Sequence, residues 1–104
     1  MKRVAFGALI ALVAITTECR AQAVGIASYY GYSRGGYVAA HRTLPIGSRV
    51  KVTNLGNGRT ATLVVVGRGP FVGGRIIDVS TAAADALGFR REGIARVQID
   101  PVRQ

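Results

Sequence analysis

Few side chains in this sequence are suited to acid–base chemistry. Its single histidine is His41. The acidic residues after position 23 are Asp78, Asp85, Glu92 and Asp100. Asp78 stands out because it lies in a short apolar stretch directly before a predicted helix, and a carboxyl group among apolar neighbours can act as a general acid. Alternatively, Asp78 accepts backbone hydrogen bonds and organises the turn between the strand and the helix.

Histidine and tyrosine side chains offer groups that could contact a sugar. His41 lies in the segment Ala39–Pro45. It could shuttle a proton, hydrogen-bond a sugar hydroxyl, or simply hold a loop in place. The chain also carries a cluster of tyrosines at Tyr29, Tyr30, Tyr32 and Tyr37. Tyrosine rings stack on sugars and add a polar hydroxyl, although one or two of these rings could instead fill the core.

The same inventory argues against several other kinds of site. One histidine with scattered carboxylates does not supply the clustered ligands of a metal centre, so we expect no metal and no cofactor. No nucleophile-elbow motif is present. The loop Gly67–Pro70 lacks the Lys-Ser/Thr ending of a phosphate-binding loop and leads into a strand, so it is weak evidence for anion binding.

Short strands and glycine-rich turns are predicted to position these residues. Apolar or alternating stretches predict strands at Gly25–Tyr30, Ser48–Asn54, Thr60–Val66, Arg75–Val79 and Ile94–Asp100, the last stopped by Pro101. A loop is expected over Tyr32–Tyr37, and Asn57-Gly58 predicts a tight hairpin turn. Ser80 suits the N-cap of a helix over Thr81–Leu87, which Gly88 would end. The pattern favours a mainly β fold with one short α-helix, closed as a barrel.

The first residues have the organisation of an export signal. Lys2 and Arg3 precede an uncharged apolar run, and Ala21-Gln22-Ala23 has the small residues of a cleavage site. We therefore expect a signal peptide over Met1–Ala23 and one domain over 24–104. The apolar run is too short for a spanning helix, so no stable membrane insertion is expected. Glu18 directly before Cys19 makes a poor lipidation motif, so we do not expect a lipid anchor at Cys19.

The chain carries 14 lysine and arginine residues against five acidic residues, which gives a formal net charge of +9. A basic surface suggests an anionic partner. Export argues against nucleic acid and points to cell-wall polymers or an anionic surface. The basic residues are scattered, however, so the charge could also serve solubility alone.

Several motifs in a fixed order resemble those of the rare lipoprotein A family. The resemblance covers Gly25 to Ile99, nearly the whole predicted domain. The matching motifs are Gly25–Gly31, Ala39–Pro45, Arg49–Leu55 with Asn57-Gly58, Gly67–Phe71, Gly74–Ser80 and Ala82–Gly88.

This resemblance implies a six-stranded double-psi β-barrel and a periplasmic enzyme. Family members are lytic transglycosylases that cleave the MurNAc–GlcNAc bond of peptidoglycan, prefer strands without stem peptides, and leave a 1,6-anhydro end. The resemblance implies Asp78 as the catalytic acid and base and His41 as the pocket histidine, and we expect both to be catalytic residues. The implied glycan-binding residues are Arg68, Arg75, Tyr30 and Thr43. Implied partners are peptidoglycan strands and, beyond them, cell-division or other envelope proteins.

The sequence departs from the family pattern at two acidic positions. Gly67 stands where the family has an acidic residue before Arg-Gly-Pro-Phe, and the loop Tyr32–Val38 is shortened and lacks its glutamate. A mechanism using Asp78 alone could still operate. The alternative is a catalytically degenerate module that binds peptidoglycan without cleaving it. A third alternative is a small basic protein whose target is another envelope protein.

Overall fold

The computed structural model describes residues 23–31 and 35–102. Apart from Ala23, the predicted signal peptide lies outside the described residues, as do Cys19 and Tyr32. The elements in chain order are β1 (Ala23–Tyr30), β2 (Val38–Ala40), β3 (Arg49–Asn54), β4 (Thr60–Gly67), β5 (Arg75–Ser80), α1 (Thr81–Leu87) and β6 (Ile94–Pro101). Among the described residues, no helix has the length and apolar character needed to cross a membrane.

The six strands form a closed barrel in the order β1-β5-β2-β4-β3-β6, with β6 paired to β1. The pairs β1–β5 and β2–β4 are parallel, and the other pairs are antiparallel. Neighbouring strands are mostly distant in the sequence, and β3–β4 is a simple hairpin. Closure leaves no strand of this sheet with an unpaired edge, which confirms the predicted mainly β barrel.

Alternating side chains of the strands fill the barrel, and the helix covers its end. In β3, for example, Val50 and Val52 are buried while Arg49 and Lys51 are exposed. Complete burial of a large apolar side chain stabilises a fold by about 1.5–3 kcal/mol. The buried cluster consists of Ala27, Ala39, Val50, Val52, Leu63, Val65, Ile77, Val79, Ala83, Ala84, Leu87, Phe89, Val97 and Ile99.

Both predicted caps of the helix are confirmed. The side chain of Ser80 accepts a hydrogen bond from the Ala83 amide at 3.2 Å, and Gly88 ends α1 in the left-handed conformation with φ of 79°. The side-chain amides of Asn54 and Asn57 donate to the Leu87 carbonyl at 2.9 and 3.0 Å. The end of α1 is therefore fixed to the β3–β4 hairpin.

Three details differ from the sequence-based predictions. Strand β2 was not predicted, because three small apolar residues, all buried, show no alternation. Pro101 was expected to stop the last strand but is its final residue, where the missing N–H is tolerated. The β3–β4 connection is broader than a tight turn: residues 55–59 join the strands, with Gly58 at φ of 80° donating to the Asn54 carbonyl at 2.7 Å.

Candidate active site

Strand pairing places Asp78 in a row of residues that crosses four neighbouring strands. In the parallel β1–β5 pair Asp78 lies opposite Ser28, and in the antiparallel β2–β5 pair it lies opposite Ala40. Ala40 in turn lies opposite Gly67 of β4. Because directly paired residues project from the same face of a sheet, Ser28, Asp78, Ala40 and Gly67 share one face. The neighbours Ile77 and Val79 point into the core, so this is the outer face of the barrel.

The carboxyl group of Asp78 is held by a serine on the adjacent strand. The Ser28 hydroxyl donates a hydrogen bond to Asp78 Oδ1, and Ser28 is 7% exposed. The contact fixes the direction of the carboxyl group. Sequence reasoning did not select Ser28, although it lies within the Gly25–Gly31 motif. The sequence spacing gives no indication of Ser28, because it meets Asp78 only through the parallel pairing of strands that lie 50 positions apart.

His41 follows Ala40 directly and is half-buried beside the row. Its Nδ1 accepts hydrogen bonds from the backbone amides of Thr43 and Leu44, both at 3.1 Å. An Nδ1 that accepts carries no proton, so in the neutral ring the proton lies on Nε2. Burial lowers the pKa of His41 below its ordinary value of 6.5, and the positive charges of Arg42 and Arg68 lower it further. His41 is therefore a neutral ring at pH 7 whose Nε2–H can donate.

Two arginine side chains form hydrogen bonds with backbone carbonyls in and around the loop that follows His41. Arg68 Nη1 donates to the carbonyls of His41 and Leu44 at 3.1 and 2.5 Å. Arg42 Nη2 donates to the Arg75 carbonyl at 2.7 Å. Arg68 was predicted as a binding residue, whereas Arg42 was missed. Its position directly after the histidine was the available indication, but no sequence pattern shows that its side chain crosses to the start of β5.

The other predicted binding residues lie around the same row. Tyr30 is two residues beyond Ser28 on β1 and therefore projects from the same face; it is 61% exposed. Thr43 is exposed in the loop held by His41. Arg75 begins β5, and its backbone carbonyl accepts the hydrogen bond from Arg42. The row and the loops beside it thus hold Asp78, His41, Thr43, Tyr30 and Arg68, while Arg75 lies three residues before Asp78 at the start of β5.

Tyr29 belongs to the core side of the barrel wall. Its ring lies 6.2 Å from that of Phe89, tilted by 59°, and its hydroxyl donates to the Arg90 carbonyl at 3.1 Å. The expectation that one of the tyrosines fills the core is therefore met by Tyr29, while Tyr30 and Tyr37 are exposed.

Gly67 leaves open space at the other end of the row. A Cβ atom built at Gly67 would meet the Ala40 Cβ at 3.9 Å, an ordinary van der Waals distance. The position can accept a side chain, so the packing of the barrel does not require glycine there. The absence of a carboxyl group at this position is a property of the sequence and not a consequence of crowding.

Two further features of the described residues bear on possible sites. Within the described residues, no group of three or more histidine, cysteine or acidic side chains could hold a metal ion. A surface depression lies between the β3–β4 hairpin and the end of α1, lined in part by Asn54, Asn57 and Phe89. The side-chain amides of both asparagines already donate to the Leu87 carbonyl. We therefore attribute this depression to the way the end of α1 packs against the hairpin.

A model of the family described as "Lytic transglycolase", a double-psi β-barrel domain, matches residues 22–99 of this chain. The chain belongs to the lytic transglycolase family. The match spans all six strands up to Ile99 and the whole site region, and the double-psi barrel expected from the motifs is confirmed. This lytic transglycolase domain has its Asp78, His41 and Arg68 inside the matched segment.

Relatives of this lytic transglycolase domain carry a specific enzyme name. It is 46% identical over 91 residues to the endolytic peptidoglycan transglycosylase RlpA of Neisseria meningitidis serogroup A, covering 75% of this chain and 38% of the relative. It is 46% identical over 96 residues to the enzyme of the same name from Pseudomonas aeruginosa, covering 77% of this chain and 28% of the relative. The chain thus spans well under half the length of these relatives.

Solved structures show the same fold at lower identity. An expansin from Clavibacter michiganensis superposes with a TM-score of 0.68 at 21% identity, covering 80% of this chain and 51% of the expansin. Cerato-platanin 3 from M. perniciosa superposes with a TM-score of 0.62 at 20% identity, covering 78% and 95%. These likenesses describe the barrel of the lytic transglycolase domain and not its activity.

Proposed function

We propose that this domain is an exported peptidoglycan lytic transglycosylase that cleaves the MurNAc–GlcNAc bond of glycan strands and leaves a 1,6-anhydro end. The observation that carries the proposal is the placement of Asp78 on the outer face of a lytic transglycolase barrel, oriented by Ser28 beside a neutral His41. Relatives named for peptidoglycan transglycosylase activity support the substrate.

In the proposed reaction, Asp78 acts first as an acid and then as a base. Its carboxyl group donates a proton to the glycosidic oxygen as the bond from that oxygen to C1 of the MurNAc residue breaks. The resulting carboxylate accepts the proton of the C6 hydroxyl, whose oxygen forms the new bond to C1. The carboxyl group is thereby restored and no water is consumed, so one acid is sufficient for the balance of protons.

The remaining side chains are assigned to holding the glycan. The Nε2–H of His41 can donate to a sugar hydroxyl, since Nδ1 is committed to the loop. Exposed Tyr30 offers a ring for stacking, and Arg68, Arg75 and Thr43 offer hydrogen-bond donors around the row. These roles orient the strand so that the scissile oxygen meets Asp78.

The proposal includes export to the compartment that holds peptidoglycan. Support comes from the charged, apolar and small-residue order of Met1–Ala23. We propose a periplasmic location without a lipid anchor at Cys19. Cell-division or envelope proteins are the further partners that such a location would offer.

The alternative of a binding module without activity is not favoured. It was motivated by Gly67 and the shortened loop before Val38. Asp78 is nevertheless present with an oriented carboxyl group, and the relatives of this chain are named as enzymes.

Product analysis tests the proposed activity. Incubation of the purified protein with glycan strands stripped of their peptides should give 1,6-anhydro ends detectable by mass spectrometry, and Asp78→Asn should abolish them because the amide cannot exchange the proton. Asp85→Asn is the matched control, since Asp85 is exposed and paired with Arg90 at 2.9 Å. Absence of anhydro products from the wild-type protein would show the proposed activity to be wrong.

A further inference from the structure

The side chain of Phe71 is the most exposed of the large apolar side chains in the described part of the chain. It is 77% exposed, whereas the other described phenylalanine, Phe89, is 1% exposed and belongs to the core. A phenyl ring stabilises a fold by its burial, so a ring left in water contributes little to the barrel. The packing of the fold therefore does not explain the position of Phe71, and its ring is accessible to a ligand.

The ring of Phe71 is nevertheless held in place, because one edge of it lies against Gly69. A Cβ atom built at Gly69 would meet Cε2 of the ring at 3.5 Å and Cδ2 at 3.7 Å. Gly69 is buried, and it lies two residues beyond Gly67, the end of the row that contains Asp78. Two residues of chain span at most about 7 Å, so this contact places the ring beside the row.

The loop between β4 and β5 carries Phe71 and is held at both ends. At one end, Arg68 Nη1 donates to the His41 carbonyl at 3.1 Å. At the other end, the Gly74 carbonyl accepts a hydrogen bond from the Ile26 amide of β1 at 3.1 Å. Because the main chain is fixed before a ligand arrives, binding to the ring orders little of the protein.

Phe71 lies near the start of β5, and Tyr30 lies beside the end of this strand. The carbonyl of the residue after Phe71 accepts from the amide of Arg75, the first residue of β5, at 3.1 Å. Asp78 is three residues further along the strand, about 10 Å away. Tyr30, which is 61% exposed, pairs with Ser80, about 7 Å beyond Asp78. The two exposed rings thus lie on opposite sides of Asp78 along the direction of β5.

We propose that Phe71 is a stacking platform for the glycan, on the opposite side of Asp78 from Tyr30, and that the glycan strand runs along β5 across both rings. This inference rests on the proposed function, because it states how the proposed substrate is held. A phenyl ring has no hydrogen-bonding group, so it matches the apolar C–H face of a sugar ring and not an anionic group. Since about 17 Å separates the two ends of β5, a disaccharide reaches one ring only, and longer glycans are selected.

Equilibrium binding of glycans of two lengths tests this platform. The probes are a MurNAc–GlcNAc octasaccharide and the corresponding disaccharide. The protein carries Asp78→Asn so that both probes remain intact during calorimetry. The octasaccharide should bind at least about tenfold more tightly than the disaccharide, because it can contact both rings at once.

Variants in the loop assign this difference to the ring. Phe71→Ala should reduce affinity for the octasaccharide about tenfold, whereas Phe71→Tyr, which keeps an aromatic face, should stay within about twofold of the parent. Val72→Ala is the matched control, since Val72 is 53% exposed in the same loop. Its truncation should leave octasaccharide affinity within about twofold of the parent. Circular dichroism of each variant checks that the barrel is folded.

The platform and the proposed function fail in different ways. Equal octasaccharide affinity of the parent and Phe71→Ala would overturn the platform and leave the glycan substrate standing. An equal loss of affinity in Val72→Ala would overturn the assignment to the ring. Co-sedimentation of the parent with anionic phospholipid vesicles, lost in Phe71→Ala while octasaccharide affinity is unchanged, would assign the ring to a membrane surface instead. Failure of the parent to bind the octasaccharide would overturn the proposed function together with this inference.

Discussion

Asp78 receives its orientation from a residue on another strand. The hydroxyl of Ser28 contacts one carboxyl oxygen, and the barrel interior fixes both flanking residues of β5. A carboxyl group that is already directed costs little reorganisation when the substrate arrives. The row thus carries one oriented carboxyl group, that of Asp78, and one position, Gly67, where a second carboxyl group fits but is absent.

Restoring an acid at Gly67 tests whether its absence limits the rate. Gly67→Asp places a carboxyl group on the outer face, where a Cβ atom would meet the Ala40 Cβ at an ordinary distance of 3.9 Å. We expect the rate of anhydro-product formation to rise at least about tenfold, since a positioned acid or base contributes roughly 10²–10⁴-fold. Mass spectrometry of timed digests measures the rate.

The neutral variant Gly67→Asn is the control for this experiment. It adds nearly the same volume without the carboxyl group, so it should not share the gain. If the two variants behave alike, the missing acid does not limit catalysis in this domain.

The individual site residues were predictable to different degrees. Asp78 and His41 could be selected because few groups in the chain can exchange protons and because both lie in recognisable motifs. Ser28 and Arg42 could not, since their roles depend on contacts with Asp78 and Arg75, far along the chain. Residue type identifies candidates for chemistry, whereas positioning partners require the strand pairing.

Among the elements, the loop after β2 depends on the protonation state of one ring. His41 Nδ1 accepts from the amides of Thr43 and Leu44, and a proton on Nδ1 would remove both hydrogen bonds. Burial, with the charges of Arg42 and Arg68, lowers the pKa of His41 in the folded state. In the unfolded chain the ring has its ordinary pKa of about 6.5.

This difference predicts a pH dependence of stability. Between the two pKa values the unfolded chain binds the proton and the folded protein does not, so acid favours unfolding. The His41 contribution should be fully present above pH 6.5 and should be lost as the pH falls toward the lower folded pKa. Urea denaturation from pH 5 to 8 measures the free energy of unfolding.

His41→Asn separates the histidine from other acid-sensitive groups. The asparagine Oδ1 can accept from the backbone amides but does not titrate, so the variant should lose less stability than the wild type as the pH falls from 8 to 5. Parallel pH curves for the two proteins would contradict the assignment.

The elements themselves were largely predictable where local patterns are strong. The alternation in β3 and the Ser80 and Gly88 caps of α1 placed these elements within a residue or two. Strand β2 was missed because three buried small residues have no period. Its existence is decided by its neighbours β4 and β5, which no local pattern in Val38–Ala40 reveals.

Two properties belong to the molecule as a whole: the closure of its barrel and its net positive charge. A closed barrel was predictable from many short strands, but the order β1-β5-β2-β4-β3-β6 was not readable from local patterns, because parallel pairs join distant segments. Residues 24–104 carry 11 of the 14 basic and four of the five acidic residues, so the domain without its predicted signal peptide keeps a formal net charge of +7, which adds to any local recognition of an anionic polymer.

This charge predicts a salt-dependent association with the wall polymer. The screening length falls from about 10 Å at 0.1 M salt to about 3 Å at 1 M, so co-sedimentation with purified sacculi should decrease several-fold over that range. Circular dichroism at both salt concentrations controls for unfolding. Undiminished sedimentation at 1 M salt would show that long-range charge contributes little to binding.

The pairing of β1 with β6 has a consequence for how the domain can be connected to other polypeptides. Ala23 lies opposite Ile99, so the start of β1 and the end of β6 lie side by side at one end of this antiparallel pair. Ser28 is five residues further along β1, about 17 Å from that end. A polypeptide joined directly to the start of β1 or to the end of β6 would therefore be attached away from the row that holds Asp78. The same proximity would allow a short linker to join the start of β1 to the end of β6 in a circular permutant whose new ends are opened in an exposed loop.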